Sequence, residues 1–185
     1  MSTFRAPQIV YLPSEIVSRA ESFAEAVTDT VNYRDSKQTI KQKIHDDHFV
    51  SKLGEEAVRL VFEARNCLVV GPDYMVYRGR QKSWAADLKI NALAVAVKTQ
   101  RRSAARRYDL SWTFQDSPER RDPILSTPDA WVCLVVYEDL KPEYECMVYP
   151  LRKIKQLIFE TPRSKRLVGK KQAVYLETLQ KYKVS

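Results

Sequence analysis

Two alternating runs, Trp84-Ala85-Ala86-Asp87-Leu88-Lys89-Ile90 and Leu93-Ala94-Val95-Ala96-Val97-Lys98-Thr99-Gln100, flank Asn91-Ala92 and constrain the fold more than any other part of the chain. A period of two belongs to strands, and a two-residue Asn-containing break between such runs predicts a hairpin. The hairpin puts Ala85, Asp87 and Lys89 on one face of its first strand and Ala94, Ala96, Lys98 and Gln100 on one face of its second. It also brings Asp87 level with residues 96–98. Lys98 closes an otherwise apolar run with an ammonium, and a buried run that ends in a charge usually ends at a site. The plain alternative is a hairpin carrying a surface ion pair, which contributes little.

A carboxylate beside a lysine on neighbouring strands suits a divalent cation and a phosphodiester. The carboxylate is a hard oxygen ligand for Mg²⁺, and the lysine stabilises charge or helps deprotonate the attacking water. These residues resemble those of the PD-(D/E)XK nuclease superfamily, in which an acid on one strand is followed on the next by an acid, any residue and lysine. The chain looks most like a small type II restriction endonuclease. Asp87 matches the first acid and Lys98 the lysine, while Ala96 stands where the middle acid belongs. Three readings follow: the second acid comes from elsewhere in the fold, the protein is inactive, or position 96 carries an inactivating substitution. The intact surroundings, Val95, Val97, Lys98, Thr99 and Gln100, favour the last.

Helices upstream of this hairpin in the superfamily often carry Gly-Glu, with the glutamate facing the metal through water. Here Gly54-Glu55-Glu56 lies in such a segment. Its apolar side holds Val50, Leu53, Ala57, Val58, Leu60, Val61 and Phe62, with Gly54 placed to let the helix approach the sheet. Periodicity does not choose between Glu55 and Glu56, which flank the stripe; the resemblance prefers Glu55, and a solvated Glu pair is the bland alternative. A second register, Pro72-Asp73 followed by Asp87-Leu88-Lys89, also spells the family pattern. It ranks below the first because Lys98 follows the more apolar strand and precedes an arginine-rich connection.

At 185 residues the chain fits one domain, 1–185, with a helical part at about 14–65, a catalytic core at about 54–137 and a basic part at about 150–185. A net charge of +8 suits a polyanionic partner without proving one. Cys67, Cys133 and Cys146 are odd in number and lack metal-ligand spacing, so they read as reduced core residues. With no signal-peptide pattern and no run long enough to span a bilayer, the expected setting is soluble, cytoplasmic and prokaryotic.

Helices are expected from Ser14 through Val27 and from a cap at Ser36 through Phe62, the latter the core helix with a bend near Asp46-Asp47. Strands are expected at 67–70, 74–77, 85–90, 93–97, 130–137 and 145–149, a helix at 151–159, and no assignment is made for the end. Together these predict an α/β fold, a mixed central sheet flanked by helices, restriction-endonuclease-like if the resemblance holds.

Arg101, Arg102, Arg106 and Arg107 follow Lys98 and Gln100 with no acidic residue before Asp109, a pattern for phosphate neutralisation or guanine reading; a solvated face is the alternative. Gln115 is a candidate for adenine and Arg120 or Arg121 for guanine. The run Arg163, Lys165, Arg166, Lys170 and Lys171 is a candidate backbone clamp. Trp112 and Phe114 are expected in the core. His45-Asp46-Asp47-His48 lacks a third ligand set for zinc. Only four glycines, at 54, 71, 79 and 169, leave no phosphate-cradling loop, and neither histidine is tied to a nucleophile.

The expected function is a Mg²⁺-dependent DNA endonuclease, a sequence-specific type II restriction enzyme acting on double-stranded DNA as a homodimer. As the resemblance implies, Asp87 binds the metal, Lys98 orients or activates water, and Glu55 holds a metal-bound water. A structure-specific junction or repair nuclease shares this core, and a noncatalytic DNA-binding protein with a decayed nuclease fold is the rival class.

Overall fold

A computed structural model describes residues 4–30, 40–77 and 86–181. In chain order these form strand β1 (Gln8–Tyr11), helices α1 (Ser14–Thr30) and α2 (Lys41–Glu63), and strands β2 (Val69–Val70), β3 (Leu88–Ile90) and β4 (Leu93–Arg101). One turn of helix, α3 (Ala105–Tyr108), leads to β5 (Ser111–Gln115), β6 (Trp131–Tyr137), β7 (Glu145–Val148), β8 (Arg152–Lys153), β9 (Lys171–Tyr175) and α4 (Leu176–Lys181). The central sheet runs β1-β7-β6-β4-β3-β2, with β8 also on β6 and β5-β9 forming a separate ribbon. β4 and β6 are parallel and the remaining pairs antiparallel, so the architecture is the expected mixed α/β sheet flanked by helices.

The hairpin forms in the predicted register, with Ile90 opposite Leu93 and Leu88 opposite Val95. Asn91 and Ala92 take φ of 46° and 66°, the left-handed pair that matches a two-residue turn to strand twist. The parallel β4–β6 pair requires a long crossover, which residues 102–130 provide.

Alternation on β6 divides the interior in two. Cys133 and Val135 join Ile16, Ala20, Leu53, Ala57, Val58 and Phe62 on the α1/α2 side. Val132, Leu134 and Val136 join Trp112, Phe114, Ile154 and Val174 on the ribbon side. Trp112 and Phe114 are therefore core, as expected, and the Trp112 indole N–H donates to Val135 O at 2.8 Å. The three cysteines are buried and unbridged. No helix among the described residues is long and apolar enough to cross a membrane.

Helix α2 is the core helix, buried at Val50, Leu53, Gly54, Ala57, Val58, Val61 and Phe62. It runs uninterrupted through Asp46-Asp47, contrary to the expected bend; Ser36, the expected cap, lies outside the described residues. Gly54 is needed for packing, since a Cβ there would lie 1.8 Å from Thr99 Oγ1 on β4.

Four local expectations fail. Residues 74–77 form no strand, because side chains take over: Tyr74 OH donates to Glu56 at 2.9 Å, and Asp73 accepts from Met75 N at 2.8 Å. The strand expected at 67–70 is reduced to β2, and in the described part of the one expected at 85–90, residues 86–90, only β3 forms; residue 85 lies outside the described residues. Residues 151–159 are not a helix, since Ile154 N and Lys155 N donate to Ala130 O and Pro128 O instead of to a preceding helical turn.

Candidate active site where the hairpin splays

Pairing of β3 with β4 stops at Leu88–Val95, and β4 continues alone on that edge to Arg101. At the point of separation Asp87 Oδ2 accepts the Val97 N–H at 2.7 Å, so a carboxylate stands in for the next rung of the ladder. Burial raises the Asp87 pKa above the usual range, against the lowering effects of this hydrogen bond and of the Lys98 and Lys52 charges; Asp122 raises it further. Among the described residues no ion pair joins Lys89 to Asp87, and Lys89 is exposed, so the geometry gathers around Lys98 rather than the second register.

The adjacent glutamates of α2 separate cleanly. Glu56 accepts from Arg19, from Arg59 Nε at 2.6 Å and from Tyr74 OH at 2.9 Å, a closed knot that ties α1 to α2. Glu55 instead accepts from Lys52 Nζ at 2.6 Å and Ser51 Oγ at 3.1 Å, and lies close enough to Asp87 for the two charges to act on each other. Burial, reinforced by Asp87 and opposed by Lys52, pushes the Glu55 carboxyl up to about 7. The Lys52 ammonium, itself buried, sits 4.9 Å from the Phe23 ring centroid and 5.4 Å from that of Tyr74.

Lys98 projects to the ribbon side of β4, 5.1 Å from the Phe114 ring centroid, and its Nζ lies 2.6 Å from Asp122 Oδ2. Asp122 is held by two local contacts: its N–H donates to Gln115 O at 2.9 Å, and its side chain accepts from Ile124 N at 3.4 Å. Ala96 packs against the ribbon-side core and offers no ligand. A second acid therefore does reach the Asp87–Lys98 pair, from the return loop after β5. Sequence reasoning missed Asp122 and Lys52; Lys52 was in plain view in Lys52-Leu53-Gly54-Glu55, whereas Asp122 had no periodic signal.

The residues expected to meet DNA are placed unevenly. Arg102 is bound in a fork to Glu138, Nε–Oε2 3.0 Å and NH2–Oε1 2.5 Å, which removes it from the set available to phosphates. The Gln100 amide is used between Ser111 O, at 3.1 Å, and Arg101 N, at 3.0 Å. Arg101 approaches Asp46 at 3.7 Å, and Arg121 pairs with Asp116 at 3.1 Å. Arg106, Arg107 and Arg120 are exposed and without an ion pair among the described residues. Gln115 lies on β5 opposite Lys171.

Three carboxylates from different elements, two of them with raised pKa, make an oxygen donor set short of positive charge, which fits a hard divalent ion in kind. Their spacing is looser than a closed site. Among the described residues, Glu21, Glu25 and His45 are the one trio of potential ligands with all donor atoms within 4.8 Å of each other; they lie on α1 and α2 and include none of Glu55, Asp87 and Asp122. No family model matches the chain, and neither a curated protein nor a solved structure is significantly similar to it.

Proposed function

We propose that the protein is a Mg²⁺-dependent DNA endonuclease in which Asp122 supplies the acid that position 96 lacks. The observation that carries this reading is the convergence of Glu55, Asp87, Lys98 and Asp122 from α2, the residue before β3, β4 and the loop after β5. Asp87 and Asp122 would hold the cation, with Glu55 beside them. The ion would supply Lewis acidity at the scissile phosphoryl oxygens.

The protein's own groups do the rest. The backbone N–H of Val97 fixes the Asp87 carboxylate, and Lys52 limits the repulsion between Glu55 and Asp87. Lys98 gives its ammonium to the phosphate beside the incoming water, and Asp122 holds that ammonium in line until substrate arrives; the proton of the attacking water passes to solvent, and the leaving 3′ oxygen takes one up from solvent. Water attacks phosphorus opposite the leaving 3′ oxygen, giving a 5′-phosphate and a 3′-hydroxyl. A restriction enzyme acting as a homodimer would present one such site to each strand.

The wide carboxylate spacing favours a second reading, a noncatalytic DNA-binding protein. Plasmid cleavage in Mg²⁺ separates the two. Wild type should nick or cut, and Asp87→Asn and Asp122→Asn should each lose on the order of 10²–10³-fold in rate, as for removal of one electrostatic stabiliser. Asp122→Asn combined with Ala96→Glu should recover part of the loss. Independently of activity, Ca²⁺ should raise the melting temperature of wild type but not of Asp87→Asn, since a ligand stabilises only the state that binds it. DNA binding without cleavage and without a Ca²⁺ shift would establish the noncatalytic reading instead.

A further inference from the structure

Lys171 opens β9 opposite Gln115, and among the described residues its Nζ has one hydrogen-bond contact, the Thr113 hydroxyl at 3.5 Å. Around it the fold brings the charges of Lys43 on α2, Lys98 on β4 and Arg120 in the loop after β5, with Asp47 as the anion that opposes them. Lys43 already has Asp47, at 2.9 Å, and Lys98 has Asp122, at 2.6 Å. Lys171 and Arg120 have no carboxylate partner among the described residues. Burial, followed by these neighbouring cations, holds the Lys171 ammonium below the ordinary lysine range.

A partly buried ammonium surrounded by other cations opposes folding, because desolvation and like-charge repulsion act in the same direction. Neighbouring basic residues such as Lys165, Arg166 and Lys170 escape both costs by remaining exposed. An anion that enters between the elements would compensate Lys171 and Arg120 together. The shared member, Lys98, places that anion next to the Asp87–Asp122 pair.

We propose that Lys171, with Arg120, cradles the duplex backbone phosphate adjacent to the one that faces Asp87 and Lys98. The proposal rests on the nuclease reading and narrows it. Within the basic C-terminal run, Lys171 is the phosphate ligand and Lys165 is a solvated bystander. A phosphate contact carries no base information, so its effect is the same for any duplex sequence.

The test is fluorescence anisotropy of a labelled 20-base-pair duplex in Ca²⁺, titrated with wild type, Lys171→Gln, Lys171→Arg and Lys165→Gln across a salt series. Lys171→Gln should weaken binding roughly tenfold and lower the salt slope by about 1, the loss of a single phosphate contact. The loss should be equal on unrelated sequences. Lys171→Arg and Lys165→Gln should stay near wild type. Melting of Lys171→Gln should be no lower than wild type, since an uncompensated charge is removed.

Unchanged affinity and slope in Lys171→Gln, with wild type binding normally, would overturn the assignment and leave the nuclease reading standing. A loss confined to one sequence would make Lys171 a base reader and overturn it too. Absence of duplex binding by wild type would overturn the nuclease reading itself, and this inference with it.

Discussion

Glu55 and Glu56 follow one another on α2, both are buried, and their surroundings are opposites. Glu56 is met by two guanidinium groups and a phenol, so its charge is balanced within the protein and joins α1, α2 and the Tyr74 segment. Glu55 has one ammonium and one hydroxyl to set against burial and the charge of Asp87. A buried carboxylate with a full set of donors belongs to the architecture, and one left short of positive charge is prepared for something that arrives later. The contrast applies to lysines as well: Lys52 is answered by Glu55, whereas Lys171 has no carboxylate in ion-pair contact among the described residues.

The sharpest break of this contrast comes from removing each glutamate in turn. Glu56→Ala leaves Arg19 and Arg59 facing an emptied, buried position, and truncating one partner of such a cluster typically costs about 3–5 kcal/mol. Urea unfolding at neutral pH should show a loss of that size. Glu55→Gln, whose amide oxygen can still accept from the buried Lys52 ammonium, should lose less than Glu56→Ala in the same experiment. Equal losses in the two variants would show that both carboxylates are structural.

The pH dependence sharpens the comparison at a somewhat smaller scale. The Glu55 carboxyl titrates at about 7 in the folded protein against 4.5 in its ordinary environment. Below 4.5 both states hold the proton; between 4.5 and 7 the unfolded chain releases it and the folded protein keeps it. The folded state then binds more protons, so stability falls as pH rises and levels off above the folded value. At 1.36 kcal/mol per pH unit the total is about 3 kcal/mol. Asp87, also raised from its ordinary value of 3.8, adds in the same direction. Denaturation midpoints measured from pH 4.5 to 8 should decline in wild type and stay flatter in Glu55→Gln. Parallel curves would mean that Glu55 is as well compensated as Glu56.

What could be read from sequence, and what could not, follows from the range of the forces involved. The hairpin was legible because alternation and the Asn91-Ala92 turn are local, and they put Asp87 level with residues 96–98 before any tertiary contact was considered; the structure adds that it meets Val97 N. The stripe on α2 was legible for the same reason, and it correctly gave Gly54 a packing role. Helical period could place Glu55 and Glu56 only at the edges of the stripe, since the choice between them depends on Arg19 and Tyr74, which come from distant parts of the chain. Asp122 was invisible because the return loop has no period, and its position depends on the Gln115 carbonyl and the ribbon beneath it. β1 was missed because four residues, Gln8–Tyr11, give alternation too little length; pairing with β7 decides the matter.

The arginines after Lys98 offer the mildest version of the same contrast. Read as a run, Arg102 and Arg106 are equivalent; in the fold, Arg102 is forked onto Glu138, a nearly buried carboxylate, while Arg106 is exposed. Arg102→Gln should therefore cost on the order of 1–2 kcal/mol of stability, the value of charge-assisted hydrogen bonds lost at a buried acceptor, with little change in duplex affinity. Arg106→Gln should stay within about 0.5 kcal/mol of wild-type stability, as exposed substitutions do, and should lower the salt slope of duplex binding by about 1 if it meets a phosphate. Thermal melts and salt-dependent anisotropy on the same two variants measure both quantities. A reversed pattern, with Arg102 governing the slope and Arg106 the melt, would mean that the Glu138 fork opens when DNA binds, and that the division between balanced and waiting charges does not extend beyond α2.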